Sequence, residues 1–425
     1  MNSQSDNCCG TPKLSLHNLD VILDQLSCYA HKHSLETLTL ETIKLGEGLN
    51  RVLAEDVISM IEVPPSDNSA VDGYALYIPP HKAPVDIHGQ SYPISQYIPA
   101  GGVPTPLAIG SAARIFTGAS IPENANCVIM QEQSRINEKE GSVSFETHAE
   151  ALQNIRPKGQ DIQSGQTILK KGQRLTPQRL GLIASIGLSQ ISVYKPLCVA
   201  ILSTGDELVE PGESIREGQI YNSNRYMLAG LLKGLNLEVF DLGVIPDNLS
   251  ATQEALTTAC KNADIVITTG GASVGEKDHI QEAIKSLGTI DFWRVAIKPG
   301  KPFMFGQIQN TPILGLPGNP GAVLVTFLVL ARPFLLTTQG MKESQPKTFS
   351  LPLSFDVKKE CPRREFLRVQ QDHQGALILH PNQSSGMLSS ASWAEGLAVI
   401  HEYTCPKKGE HVDFIPFSSL LSLPY

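Results

Sequence analysis

Asp264-Ile265-Val266-Ile267-Thr268-Thr269-Gly270-Gly271-Ala272-Ser273-Val274-Gly275-Glu276-Lys277-Asp278 has the form of a buried parallel strand that opens into a polar, glycine-rich loop. Glycines there leave backbone N–H groups bare, Thr and Ser add hydroxyl donors, and Asp278 can hold a cation or orient water. The pattern suits a phosphate-handling site that also carries a carboxylate. It equally suits a strand-to-helix turn whose glycines serve only tight packing, and this stretch alone leaves both readings open.

Neighbouring segments repeat the design. Val199-Ala200-Ile201-Leu202-Ser203-Thr204-Gly205-Asp206-Glu207 is again a strand ending in small polar residues, a glycine and acids. A strand predicted over 292–297 leads into Lys298-Pro299-Gly300-Lys301, and Ile313-Leu314-Gly315-Leu316 leads into Pro317-Gly318-Asn319-Pro320-Gly321 and a helix predicted over 322–336. Asp247 follows a further strand over 238–242. In an open α/β sheet, ligands bind beyond the carboxyl ends of the strands, so these loops are expected to line one crevice. Two lysines on a stiff loop after a strand suit an anion, and Arg294 adds to that basic cluster.

Strands and helices alternate from about residue 197 to 337, with helices over 222–235, 250–261 and 279–287, which predicts a doubly wound α/β domain. Leu16, Leu19, Ile22, Leu23, Leu26 and Ala30 recur at helical spacing near the start. A second helical patch is expected within 39–60, and a helix over 176–187 with Pro177 in its first turn. Short β-branched runs between 67 and 148, and again beyond 347, predict two β-rich accessory domains, the last a small barrel. The expected division is 11–63 with 156–194 (N-terminal linker and helices), 64–155 (inserted, mostly β), 195–337 (central α/β) and 338–425 (C-terminal β).

The 425 residues carry 34 Lys and Arg against 42 Asp and Glu, a net charge of −8 that argues against broad nucleic-acid binding. The eight cysteines form no CxxC pair and read as reduced thiols. The polar first residues do not resemble a signal peptide, and no apolar run of about 18 residues is apparent, so a cytoplasmic protein without a membrane span is expected. No HExxH or GxxxxGK[ST] occurs, which removes support for zinc hydrolase and P-loop readings.

Pro64-Pro65-Ser66-Asp67-Asn68-Ser69-Ala70-Val71-Asp72-Gly73-Tyr74-Ala75, together with STGDEL, GGASVGEKD, IKPGKP and GLPGNP in that order, resembles the molybdopterin molybdenumtransferases, the bacterial MoeA family that also includes the C-terminal domain of gephyrin. The resemblance runs from about residue 14 to the C-terminus. It implies insertion of molybdate into adenylated molybdopterin with release of AMP, Mg²⁺ as cofactor, and a homodimer in which the inserted domain completes a neighbour's crevice. A molybdopterin adenylyltransferase is an implied partner.

Carried over residue by residue, the resemblance implies catalytic acids at Asp72, Asp161, Glu207, Asp247 and Asp278, the last three also as metal ligands. Gly270, Gly271, Ser273 and Gly275 would cradle phosphate with Thr117, whose position ending a β run also suits a simple turn. Lys298, Lys301, Arg363, Arg368 and Ser385 would bind molybdate. The chain departs from the family's usual pattern with Gly321-Ala322 where Val-Ser is usual, Ala272 for Val and His279 for an aromatic. Three rivals are a molybdopterin adenylyltransferase, which typically lacks the flanking domains; the competence-damage-inducible family, which typically continues GGLGPT; and a non-catalytic pterin-binding scaffold or carrier.

Overall fold

The computed structural model describes residues 16–79, 84–270 and 279–421, which fall into two compact units. The first holds residues up to 55, 172–176 and 191 onward; the second holds 56–171 and 177–190.

The first unit is built on a six-stranded sheet of β1 (Cys198–Thr204), β2 (Glu238–Ile245), β3 (Ile265–Thr269), β4 (Thr289–Trp293), β5 (Met304–Ile308) and β6 (Thr311–Leu316), in the order β2-β1-β3-β6-β5-β4. The first four strands in that order run parallel, and β5 runs antiparallel to both its neighbours. The expected α/β sheet is therefore present but mixed, because β5 and β6 form a hairpin with Ile308 paired to Thr311.

Period-two alternation sends successive residues of β1 and β3 to opposite faces, and both strands are apolar up to their Ser-Thr and Thr-Thr ends. Val199, Ile201, Ile265 and Ile267 pack on one face with Leu228, Leu231 and Leu232 of α2 (Ser223–Gly234). Ala200, Leu202 and Val266 pack on the other with Leu256 and Ala259 of α3 (Leu249–Asn262) and Ile280 and Ile284 of α4 (His279–Leu287). A sheet covered on both faces needs no polar side.

The first-face core also takes Leu19, Ile22, Leu26 and Ala30 of α1 (Leu19–Thr37) and most of α5 (Pro320–Thr338). A window of α5 with mean hydropathy 1.8 is long and apolar enough to cross a membrane, which corrects the expectation that no such run exists; 94% of it is buried inside the protein. Residues Phe327–Ala331 of this helix form a π segment just before Pro333. Proline has no N–H for the preceding turn and crowds its carbonyl, and a widened turn relieves that conflict.

The strand expected over 292–297 is interrupted at Arg294, whose φ is 74°, so β4 stops at Trp293 and a short strand Ile297–Lys298 begins anew. That short strand joins the C-terminal sheet of β7 (Phe349–Pro352), β8 (Arg364–Gln371), β9 (Leu377–Leu379), β10 (Gly396–Ile400) and β11 (His411–Pro416), pairing parallel with β8. Residues 39–60 contain a strand, Leu40–Lys44, and only a single 3₁₀ turn, Leu45–Glu47, where a second helical patch was expected.

The second unit is mostly β, as expected, with a six-stranded sheet ordered Cys127–Met130, Gly73–Leu76, Ala112–Ile115, Ser91–Ile98, Ser142–Phe145, Ser134–Asn137. Tyr74, Leu76, Ile129, Val143 and Phe145 fill one side of it, while Ala75, Ile98, Ala113, Ile115 and Val128 fill the other.

Candidate functional site

A cavity of about 600 Å³ opens at the carboxyl edge of the central sheet. Thr204 at the end of β1 and Glu207 after it, Thr269 and Gly270 at the end of β3, Lys298 and Lys301 beyond β4, and Asn319 after β6 all line it. Strand direction explains the gathering, since these four strands are parallel and deliver their following loops to one edge. At the base of this edge Ser203 Oγ and Thr269 Oγ1 lie 2.8 Å apart, a buried cross-strand hydrogen bond that fixes the ends of β1 and β3.

Six expected site residues line the cavity: Glu207, Gly270, Lys298, Lys301, Arg363 and Ser385. The Glu207 turn is stitched by the Leu208 N–H to Gly205 O at 3.1 Å and by the Ile220 N–H to Glu207 O at 2.8 Å. Asp247 is not among the lining residues, but its N–H donates to Asp206 Oδ1 at 3.3 Å, which keeps the two acidic loops adjacent. The helix after it is capped by Asn248, whose Oδ1 accepts from Ala251 N at 2.9 Å, so capping occupies Asn248 and not Asp247.

Lys298 is not an isolated cation. Its ammonium forms an ion pair with Glu365, which is buried, and Lys298 faces Glu365 in the ladder between Ile297–Lys298 and β8. Lys301 is exposed at the rim. Arg363 lines the wall and reaches Ile297 O with Nη1 at 3.4 Å. Arg294 does not line the cavity.

Arg368 is wholly buried, and its Nη2 donates to Ser384 O at 3.1 Å. Burial pushes its pKa down. It does not line the cavity but braces the loop that carries Ser385. Asn319 Nδ2 in turn lies 3.2 Å from Ser385 Oγ, and the Gly321 N–H donates to Ser385 O at 2.8 Å. A Cβ at Gly321 would sit 2.8 Å from that same carbonyl, so this chain's small residue lets the Ser385 loop close onto the start of α5.

Gly300 has φ 109°, and a Cβ there would meet Thr326 Cγ2 at 2.4 Å. An L-residue is strained in that backbone region, and α5 blocks the space. Gly300→Ala is therefore expected to push the loop off α5 and move Lys301. If Lys301 holds molybdate as the resemblance implies, molybdate affinity measured by calorimetry should fall about tenfold while the thermal midpoint drops by only a few degrees. An unchanged affinity would show that the loop's position does not matter to the anion.

The Asn222-Ser223-Asn224 run, which opens α2 at the cavity wall, escaped the sequence reading, whereas Asn319, which opens α5, falls on a loop expected there. Asn222 Oδ1 accepts from Arg225 N at 3.2 Å, a helix cap, while Asn224 Nδ2 donates to Gly318 O at 2.7 Å and ties α2 to the loop after β6. The available signal was the Asn-Ser-Asn run at a helix start, where free N–H groups favour anions.

Asp72, Thr117 and Asp161 belong to the second unit. Asp72 Oδ1 accepts from Thr117 N and Thr117 Oγ1, both at 2.8 Å. These hydrogen bonds hold the Asp72 carboxyl below the usual carboxylate range. Thr117 thus serves as the partner of Asp72. Asp161 is exposed, with its N–H donating to Val63 O at 2.9 Å. Pairing of Asn68–Ser69 with Ile155–Arg156 ties the segment before Asp72 to the segment before Asp161. Gly271, Ser273, Gly275 and Asp278 lie outside the described residues.

Comparison with known families finds three matches in chain order: the MoeA N-terminal region (domain I and II) over residues 19–187, a probable molybdopterin binding domain over 200–337, and the MoeA C-terminal region (domain IV) over 350–417. Among curated relatives, a molybdopterin molybdenumtransferase of Haemophilus influenzae is 43% identical, covering 90% of this chain and 95% of its own. One of the same name from Nostoc sp. is 35% identical, covering 85% and 84% respectively. A molybdopterin biosynthesis MoeA protein of Pyrococcus horikoshii OT3 has a similar solved structure, with TM-score 0.82 and 28% identity, covering 95% of this chain and all of that one.

Proposed function

The chain belongs to the MoeA family, and from that premise we propose that it is a molybdopterin molybdenumtransferase, which inserts molybdate into adenylated molybdopterin and releases AMP. The observation that carries this reading is the cavity itself. In a protein of net charge −8, Lys298, Lys301 and Arg363 converge on one crevice that also holds Glu207. Such a local inversion of charge suits an anionic substrate, and a carboxylate beside it suits cleavage of a phosphoanhydride.

In this reading the pyrophosphate of the substrate lies over Gly270 and the loop that continues through Gly271, Ser273 and Gly275. Lys301, Arg363 and Ser385 hold the molybdate oxyanion, with Lys298 poised between it and Glu365. Arg368 acts through the Ser384 carbonyl that it holds, positioning Ser385. Glu207 orients the water that attacks the adenylate phosphorus, so that AMP leaves as the dithiolene thiols take up molybdenum, their two protons and one molybdate oxygen departing as water. Soft sulfur donors suit that metal.

Mg²⁺ fits the donor set, because Glu207, Asp247 and Asp278 offer the hard carboxylate oxygens this ion requires, and the Asp206–Asp247 contact keeps two of those loops together. When bound it would neutralise charge on the phosphates. The proposal extends to a cytoplasmic homodimer in which Asp72, Thr117 and Asp161 complete the site of the neighbouring protomer. It includes a molybdopterin adenylyltransferase as the supplier of the adenylated substrate, and the four-part domain division 11–63 with 156–194, 64–155, 195–337 and 338–425.

The test is AMP release from purified protein given adenylated molybdopterin and Mg²⁺, with and without molybdate. Molybdate-dependent release, with molybdenum retained on the pterin, is the expected result. Tight pterin binding with no release would replace the transferase by a carrier.

A further inference from the structure

The second unit carries a cluster of metal-ligating side chains that the transferase chemistry leaves unused. The strands Val85–Asp86 and His148–Ala149 pair antiparallel, with Asp86 directly opposite His148. Two residues on, His88 turns back toward Asp86: its N–H donates to Asp86 Oδ1 at 3.0 Å, and its Nδ1 lies 2.9 Å from the same oxygen. The rings of His88 and His148 meet edge to face with centroids 5.5 Å apart. One ligand atom from each of the three residues lies within 4.8 Å of the others.

Backbone register, not side-chain drift, brings these groups together. The ladder fixes His148 across from Asp86, and a bridge between His88 and Phe145 fixes His88 beside the end of the preceding strand, Ser142–Phe145. All three side chains are exposed, so small rotations suffice to bring the ligand atoms to the roughly 3.4 Å separations of a tetrahedral zinc site. A surface Asp–His hydrogen bond needs only two partners; the second imidazole, delivered from another strand, is what a metal adds a use for.

We propose that Asp86, His88 and His148 form a binding site for a divalent late first-row transition metal, with zinc the best-matched ion. Two imidazoles and one carboxylate favour zinc over Mg²⁺ or Ca²⁺, which take oxygen donors. Three protein ligands leave a fourth position for water. The ion clips the 86–88 segment to the 148–149 strand, and it is independent of the crevice and of the transferase reading.

The experiment is a Zn²⁺ titration of the chelator-stripped full chain by calorimetry, alongside His88→Ala and His148→Ala. Each substitution is expected to weaken binding at one site per chain at least about tenfold, and excess Mg²⁺ should not compete. Because the chain has free cysteines, Co²⁺ is used as a spectroscopic probe. A d–d band lacking a thiolate charge-transfer band, and lost in His148→Ala, is the expected signature. Equal zinc affinity and stoichiometry in all three proteins, a cobalt spectrum dominated by thiolate, or no zinc binding at all would each overturn the site. Both histidines are exposed, so the variants are expected to fold, and a circular-dichroism melt matching that of the unsubstituted chain is the check on that.

Discussion

Glu207→Gln is expected to lower molybdate-dependent AMP release by about 10²-fold, the scale of a lost general base, while adenylated molybdopterin binds about as well as before. The substitution keeps the side chain's size and removes only its charge and its ability to accept a proton. The turn should survive it, because what holds the turn is main chain: Leu208 N–H to Gly205 O, Ile220 N–H to Glu207 O, and the parallel pairing of Leu208–Val209 with Ile220–Tyr221. A fall in kcat with KM unchanged identifies an interaction made in the transition state.

Asp206→Asn is the control that gives this experiment its meaning. Asp206 stands next to Glu207 but does not line the cavity, and its Oδ1 accepts the Asp247 N–H at 3.3 Å. An asparagine carbonyl can accept that same hydrogen bond, so the loss should stay within about threefold. If Asp206→Asn abolished AMP release and Glu207→Gln did not, the two acids would exchange roles and the attacking water would have to be placed on the Asp247 side of the loop.

The cavity was largely legible because its parts are local. A run of apolar residues ending in Thr, Ser and Gly marks the carboxyl end of a buried strand, and β1 and β3 carry that mark, while the Pro-Gly-Asn turn after Leu316 marks the end of β6. What stayed hidden depends on partners distant in sequence. The β5–β6 hairpin turns on Gln309 and Asn310, with Gln309 at φ 53° and no glycine to announce it, so the antiparallel strand went unread. Lys298 looked like a free cation until its register partner Glu365 came beside it. The resemblance implies an oxyanion role for Arg368 from its place in the motif alone; its complete burial beneath the Ser384 carbonyl is a tertiary fact. The 39–60 segment failed for another reason: its apolar spacing suits a helix, but Leu40–Lys44 and the bridges of Val52 and Leu53 to Arg174 and Val193 take the backbone hydrogen bonds instead.

Arg332→Ala is expected to cost about 4 kcal/mol of stability in the first unit, the scale of a broken buried polar network. Arg332 sits inside α5 with no exposed surface. Its Nε donates to Leu420 O at 2.8 Å, Nη2 to Ser419 O at 2.8 Å and Nη1 to Ser344 O at 2.9 Å. One guanidinium thereby fastens two chain segments, around 344 and around 419, onto the core helix. Burial pushes its pKa down to about 10, which leaves it charged at neutral pH. Its desolvation is thus a standing cost, offset by hydrogen bonds to three carbonyls, of which that to Leu420 O is buried and the other two part-buried. Alanine removes the donors, strands those carbonyls and opens a void. Arg332→Met separates the contributions, since it fills most of the volume and relieves the buried charge while still stranding the carbonyls; it should cost about half as much. Both tryptophans, Trp293 and Trp393, belong to the first unit, so tryptophan fluorescence during urea unfolding follows this unit and not the other. An Arg332→Ala midpoint equal to that of the unsubstituted chain would mean that the segments at 344 and 419 find other donors, and that the clamp is not what holds them.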